Sequence, residues 1–405
     1  MTPRVAILME TSLEVSRSLL RGMIRYVRTH EAWTLDITPG GIAEQRLPDN
    51  WNGQGVIARI PSVREAGRIA ANPAPKVILD PQSAFAAPSH PLSSCVRIEC
   101  DHDATGREAA EHFLRSGFRN FAYVGPALSS SMQMQYDGTG LAEPNWSSAR
   151  REAFASHLAR RGFGCAVYPL PRTVRISSNW NLEMPRLVKW LRTLPKPVAV
   201  FTPHDARGRQ VADACHVAGI PVPYQLALLG VNNDSTLCET SQPPLSSIPL
   251  DAESAGYLAA ETLAGLMRGE RPPRKIMLYP PLPVAERASS AATQTDDPLV
   301  IGILEEIREA RGFNLRVSEL ADRRGVTVRT LENHCRAALG RSVGDILRET
   351  CMASVHALVA DSDLPFSEIT RKCGQMSASH LAAAFRRRFG ETMTALRRRC
   401  RDRRT

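Results

Sequence analysis

Between Met1 and Arg287 the chain alternates short apolar runs with stretches whose apolar residues recur at helical spacing. Val5 to Met9 is followed by Ser16 to Thr29, where Leu19, Leu20, Met23, Ile24 and Val27 share one helical face. The alternation continues through Gly55-Val-Ile-Ala, Lys76-Val-Ile-Leu-Asp, a helix near Asp103 to Ser116, Phe121-Ala-Tyr-Val-Gly and a helix near Ser147 to Arg161. Cys165 to Tyr168, Glu183 to Thr193, Val198-Ala-Val-Phe, Arg207 to Ala218 and Leu226-Ala-Leu-Leu-Gly extend it. Runs that stay apolar predict parallel strands covered on both faces, in one large sheet or in two lobes. Pro280-Pro-Leu-Pro-Val predicts a final edge strand, and the small and polar residues after it a linker.

From Leu299 onward the period is helical throughout, and one grammar occurs twice. Val317 to Gly340 and Phe366 to Gly390 each read as a short helix, a Gly-centred turn, a hydroxyl cap and a second helix ending in Gly. Gly325 and Gly374 stand where the chain turns sharply, which requires a positive φ that is cheap only for Gly. Thr327 and Ser377 stand where an N-cap hydroxyl satisfies free amides. Val343, Ile346, Leu347, Val355, Leu358 and Val359 predict one amphipathic helix joining the copies. This is the helix-turn-helix pattern, duplicated.

Charge sharpens that picture. The formal net charge is +10, most of it from Leu299 onward, and the arginine-rich run after Arg386 suits phosphate contacts that add affinity without selectivity. The 9 cysteines are scattered, with no Cys-x-x-Cys pair, so neither a metal site nor a disulfide framework is expected, and no cofactor is implied. No run has the length of a membrane span and the first residues do not make a signal peptide, so a cytoplasmic protein is expected. An enzyme is disfavoured: the doubly wound half has no Gly-x-Gly-x-x-Gly fingerprint, no phosphate loop and no nucleophile elbow.

Ser318-Glu-Leu-Ala, Gly325-Val-Thr, Thr330-Leu-Glu, Leu339-Gly-Arg-Ser, Asp361 to Ile369 and Phe385-Arg-Arg-Arg-Phe-Gly resemble the DNA-binding domain of the AraC family of transcription regulators. That resemblance implies base contacts from Arg329, Glu332 and Asn333 in the first copy and from Ser379 and His380 in the second, where Ala383 offers only a methyl group. Arg386, Arg387 and Arg388 are then phosphate contacts. The chain departs from the family at Gln375, Leu381 and Met393, which suggests a second half that packs less tightly or binds DNA more weakly.

In the first part, Gly117-Phe-Arg-Asn-Phe-Ala-Tyr-Val-Gly, Arg150-Arg-Glu-Ala-Phe, His204-Asp-Ala-Arg, Leu229-Gly-Val-Asn-Asn-Asp and Pro244-Leu-Ser-Ser-Ile resemble the two-lobed sugar-sensing domain of LacI-type repressors and periplasmic binding proteins. With the AraC-type module behind it, the whole chain resembles the XylR-like regulators. The implied fold class is α/β, a two-lobed periplasmic-binding-protein-like domain of two Rossmann-like parallel sheets, plus an all-α double helix-turn-helix domain. The implied division is residues 1–286 for the sensor, 287–298 for the linker and 299–405 for the DNA-binding domain.

The resemblance implies a sugar in the interlobe cleft, a homodimer and a double-stranded DNA operator. Carried over by motif, the ligand residues are Glu10, Thr11, Arg150, Asp205 and Asn232. Asn232 stands where the family generally has an aspartate accepting from two hydroxyls, whereas an amide accepts through one atom and donates through the other. Each residue also has a plainer role open to it: Asp205 as a helix cap, Arg150 as half of a surface ion pair, Glu10 and Thr11 as caps for the first helix. Trp146 is either a platform for a sugar ring or ordinary core. The function expected is a ligand-responsive, sequence-specific transcription regulator of carbohydrate genes; the alternative is a small-molecule-binding protein with a vestigial DNA module.

Overall fold

The computed structural model describes residues 2–40, 45–59, 63–126, 143–170, 179–290, 295, 297–374 and 377–402. The chain divides into two compact units, Met1–Ala292 and Thr293–Thr405.

In the first unit the chain begins β1 (Arg4–Leu8), α1 (Glu14–Thr29), β2 (Thr34–Ile37), β3 (Gly55–Ala58), α2 (Val63–Ala71), β4 (Lys76–Leu79), α3 (Ser83–Ala86) and β5 (Val96–Cys100). It crosses to α4 (His102–Arg115), β6 (Asn120–Tyr123), α5 (Asn145–Arg160), β7 (Cys165–Val167), α6 (Trp180–Thr193), β8 (Val198–Phe201), α7 (Asp205–Ala218), β9 (Leu226–Val231), α8 (Ser235–Thr240) and β10 (Ser246–Ile248). It returns for α9 (Ala252–Met267) and β11 (Ile276–Tyr279). Two parallel sheets result, ordered β11-β5-β4-β3-β1-β2 and β10-β9-β8-β6-β7.

The two-lobed alternative is therefore the one realised. β1, β3, β8 and β9 are buried at nearly every position because helices cover both faces of each sheet. In the first lobe α1 and α9 pack on one face through two glycines. A Cβ on Gly256 would lie 1.8 Å from the Leu19 carbonyl oxygen, and one on Gly22 would lie 1.9 Å from that of Glu253.

Two expectations shift. The last edge strand is Ile276–Tyr279, ending where the prolines begin, since Pro280 and Pro281 have no N–H to donate to a ladder. Arg287 to Ser290, read from sequence as linker, belong to the second lobe: Ser289 Oγ donates to the Leu228 carbonyl at 2.6 Å and accepts from Ser246 N at 2.8 Å.

The second unit is all-helical: α10 (Pro298–Glu309), α11 (Val317–Arg323), α12 (Val328–Leu339), α13 (Val343–Asp361), α14 (Phe366–Lys372), α15 (Ala378–Phe389) and α16 (Met393–Asp402). Thr327 and Ser377 cap α12 and α15 as the sequence suggests, and Gly340 and Gly390 end them at φ 68° and 74°. Leu381 and Met393 both lie in the second copy's core. Both are buried with Val355, Val359, Ile369, Phe385 and Leu396. Gln375 lies outside the described residues.

Candidate functional site

The first unit holds a cleft of about 350 Å³ between its lobes, at the small end of ligand pockets, which run from about 300 to 1,000 Å³. It opens at the carboxyl ends of the strands, where parallel α/β sheets place ligands. Glu10 follows β1, Arg59 follows β3, Asp80 follows β4, Asp205 follows β8 and Asn232 follows β9; all line it, with Arg150 and Trp146 from α5.

Arg150 reaches the cleft because α5 lies hard against α4. A Cβ on Gly106 would sit 2.6 Å from that of Ala153 and 2.7 Å from the Arg150 carbonyl oxygen. The guanidinium is buried, donating through Nη1 to the Pro203 carbonyl at 2.5 Å and through Nη2 to Cys100 Sγ at 3.7 Å. Its Nε has no partner among the described residues. Its centre lies 5.8 Å from the Trp146 ring, which stands 5.8 Å from His204. Trp146 is thus in the cleft rather than in a core.

On the opposite wall Glu10 is buried. Its Oε1 accepts from Arg59 Nη1 at 2.7 Å while its Oε2 has no partner among the described residues. Arg59 also donates to Ser16 Oγ at 3.1 Å and lies 3.9 Å from Asp80. Asp80 accepts from Cys100 N at 2.8 Å and from the Tyr279 hydroxyl at 2.7 Å. Glu10 does not cap α1, whose cap residue is Leu13. Thr11 is not among the cleft's lining residues; it pairs with the Gly40 backbone, donating its N–H at 2.9 Å and accepting at Oγ1 at 3.0 Å.

The cap of α7 is His204, whose Nδ1 accepts from Arg207 N at 3.1 Å. Burial, together with the Arg207 and Arg150 cations, pushes His204 down to about 3, so near neutrality the ring is uncharged with its proton on Nε2. His102 is likewise held down to about 3 by burial, Arg150 and Arg59. Asn232 adopts φ 100°, a left-handed conformation that Asn tolerates better than most residues, with its N–H on the Ile248 carbonyl at 2.9 Å.

Asp205, the first residue of α7, accepts from Ser247 Oγ at 2.5 Å and from Asp234 N at 2.7 Å. Burial outweighs those bonds and raises its carboxyl from 3.8 to about 7. The folded protein therefore keeps a proton that the unfolded chain releases in this interval. Asp205's contribution to stability is complete below 3.8 and is lost as the pH rises through about 7. Thermal melts across this range should show that falling limb, and Asp205→Asn should flatten it; an unchanged slope in the variant would remove Asp205 as its source.

Arg59, Cys100, His102 and Tyr279 escaped sequence reasoning. Arg59 had one signal, its place just past an apolar run. Cys100 and Tyr279 sit on strands whose alternating or mixed pattern hid them, β5 with burial at every second residue and β11 with two exposed apolar residues, while His102 is the first residue of α4.

In the helical unit, Arg329 and Asn333 are exposed near the start of α12. Glu332 is turned aside, accepting from Val343 N at 3.4 Å at the start of α13. Ser379, His380 and Ala383 are exposed on α15, as are Arg386 and Arg387. Arg388 is committed to Glu349 of α13 at 2.5 Å. Among the described terminal arginines, Arg397 lies 4.2 Å over the Phe366 ring, Arg399 pairs with Glu391 and Arg401 with Asp363. Among the described residues no helix is long and apolar enough to cross a membrane, and no cluster of side chains could hold a metal ion.

Residues 110–290 match the periplasmic binding protein-like domain family and residues 320–399 the helix-turn-helix domain family. The xylose operon regulatory protein of Escherichia coli (strain K12) is 26% identical over 390 residues, 96% of this chain and 95% of that protein. The protein of the same name from Haemophilus influenzae is 26% identical over 75% of each chain. The solved structure of the xylose-binding transcription activator xylR superimposes with a TM-score of 0.78 at 25% identity, over 98% of both chains. A periplasmic binding protein/LacI transcriptional regulator from Alkaliphilus metalliredigens, complexed with D-xylulofuranose, shares the fold of the first unit, with a TM-score of 0.51 at 16% identity.

Proposed function

We propose that this chain, a XylR-like fusion of a periplasmic-binding-protein-like sensor with an AraC-type double helix-turn-helix, is a transcription regulator whose DNA binding answers to a sugar-like effector in the interlobe cleft. The observation that carries the proposal is the cleft's polar lining at the carboxyl ends of the strands, with Glu10, Arg59 and Asp80 on one wall and Arg150, Asp205 and Asn232 on the other, beside the Trp146 ring. Donors and acceptors on both walls suit a molecule with several hydroxyls. The relatives' names, which refer to a xylose operon, agree with carbohydrate genes as targets. Those relatives are regulators, not enzymes.

The effector contacts both lobes, so it favours the closed arrangement by the difference between its affinities for closed and open forms. In a homodimer, closure alters the spacing of the paired DNA modules, and by reciprocity operator DNA alters effector affinity by the same factor. The protein acts in the cytoplasm, where operator and effector meet.

In the DNA-binding unit Arg329 and Asn333 read bases, Arg386 and Arg387 contact phosphates, and Glu332 and Arg388 hold the helices in place. Arg329→Ala should relax specificity at one base at a cost of about 1–3 kcal/mol, whereas Arg387→Ala should weaken all sequences alike and reduce the salt slope by about 1. Fluorescence anisotropy with the bound genomic fragment and its point variants, over a salt series, separates the two. Equal, sequence-independent losses in both variants would defeat this division, and absence of any salt-sensitive DNA binding would defeat the regulator reading.

A further inference from the structure

We propose that Arg287 is a positioning residue that couples the effector cleft to the DNA-binding unit, by locking the cleft loop at residues 232–234 to the segment through which the chain leaves the sensor; this rests on the cleft being the sensor site.

The loop after β9 has a backbone that needs support. Asn232 and Asn233 adopt φ 100° and 52° in succession, and side-chain-bearing residues hold such conformations only where their surroundings fix them. Asn232 and Asp234 line the cleft, whereas Asn233 between them does not. On the cleft side the loop is held by Asp205, which accepts from Asp234 N at 2.7 Å and from Ser247 Oγ at 2.5 Å; that hydroxyl in turn accepts from Asn233 N at 2.9 Å. On the other side it is held by Arg287. Its Nη1 donates to Asn233 Oδ1 at 2.9 Å and to the Leu245 carbonyl at 3.1 Å, and its Nε donates to Glu239 Oε1 of α8 at 2.6 Å. One planar guanidinium thus ties three stretches of chain in fixed directions.

Arg287 is also part of the way out of the sensor. Its backbone N–H donates to Ser246 Oγ at 2.8 Å, and its carbonyl accepts from the same hydroxyl at 2.9 Å. Ala285 exchanges backbone bonds with Ser247 at 2.8 and 3.1 Å, and Ser290 Oγ lies 2.9 Å from His112 Nε2 of α4. A shift of the loop is therefore passed through Arg287 to this segment. Six residues separate Ser290 from Asp297, where the helical unit begins. Asp297 caps α10, accepting from Leu299 N at 2.9 Å, and meets His334 Nδ1 of the recognition helix α12 at 2.6 Å. The tether is short, with one end fastened to the cleft loop and the other to a helix that reads bases.

The test measures the coupling itself. Calorimetry gives the affinity of the full-length protein for a neutral sugar with and without the bound genomic fragment, the sugar being the tightest binder among D-xylose, L-arabinose, D-ribose and D-glucose. The ratio of the two affinities is the coupling factor, expected to be about fivefold or more in the wild type. Arg287→Met should bring it below about twofold while sugar affinity without DNA stays within about threefold. Asn233→Gly should do the same, since it removes the Oδ1 acceptor yet keeps the positive φ accessible. The double variant should lose no more than either single one, because both break the same bond. A merely structural role for Arg287 would lower stability or sugar affinity and leave the ratio in place. The second variant keeps the test decisive if the first does not fold. A wild-type coupling factor in either folded variant overturns the role of Arg287 and leaves the sensor standing. A wild-type protein whose factor is one, or that binds none of the four sugars, overturns both this inference and the regulator reading beneath it.

Discussion

Replacing Arg207 with methionine should destabilise the first unit by about 3–5 kcal/mol, the usual cost of breaking one side of a buried ion pair. Arg207 and Glu183 are both fully buried, with Nη2 to Oε1 at 2.5 Å and Nη1 to Oε2 at 3.2 Å. Nη1 also donates to Gln210 at 2.9 Å and Nε to the Gly125 carbonyl at 2.7 Å. Methionine fills much of the volume but leaves a carboxylate and a carbonyl in the interior with nothing to accept from.

The pair lies directly behind the cleft. Arg207 is the residue whose backbone N–H His204 caps, and its side chain fastens α7 to α6. Urea unfolding followed by tryptophan fluorescence measures the loss. The double variant Arg207→Met with Glu183→Met should be less damaging than Arg207→Met alone, because it removes the orphaned charge along with its partner. A single-variant loss below about 1 kcal/mol, the range of exposed pairs, would mean that the two side chains do not meet as described.

Phe385→Ala should cost about 3–5 kcal/mol within the helical unit, the range for truncating a fully buried aromatic. Phe385 is fully buried, stacks on His356 with ring centres 6.0 Å apart and meets Phe389 at 4.7 Å. It holds α15 against α13, so its loss frees the second recognition helix from its support. The expected result is a loss of specific DNA affinity while effector titration of the same protein is unchanged, since the effector site lies in the other unit. Wild-type operator affinity in Phe385→Ala would show that the second helix-turn-helix is dispensable for binding.

Much of the fold was legible because local physics dictates it. Val198-Ala-Val-Phe and Leu226-Ala-Leu-Leu are apolar at every position because sheets with helices on both faces have no wet side. The helical unit could be read nearly residue by residue, since its signals are caps and turns. Thr327 and Ser377 bind amides within their own first turn, and Gly325 and Gly374 adopt φ 66° and 79°. Where local and tertiary demands diverged, the local signal failed. β5 alternates because one of its faces is only half covered, and β11 carries exposed Ile276 and Leu278 at the sheet edge.

The candidate site divides along the same line. Four of the five ligand residues read from sequence, Glu10, Arg150, Asp205 and Asn232, line one cleft, since each follows a parallel strand or sits on a helix beside it. Their roles were not legible. That Glu332 serves the start of α13, that Arg388 answers Glu349, and that Arg150 meets the Pro203 carbonyl and Cys100 depend on which residues lie opposite. Opposite residues come from distant stretches: Arg59 and Glu10 are 49 positions apart, Arg207 and Glu183 are 24, and Arg388 and Glu349 are 39. By itself the sequence determined the elements, their order and the loops able to hold a ligand, because backbone hydrogen bonding and apolar periodicity act over a few residues. Only the tertiary structure decided which charges are paired, because pairing is a property of folded space and no local pattern encodes it.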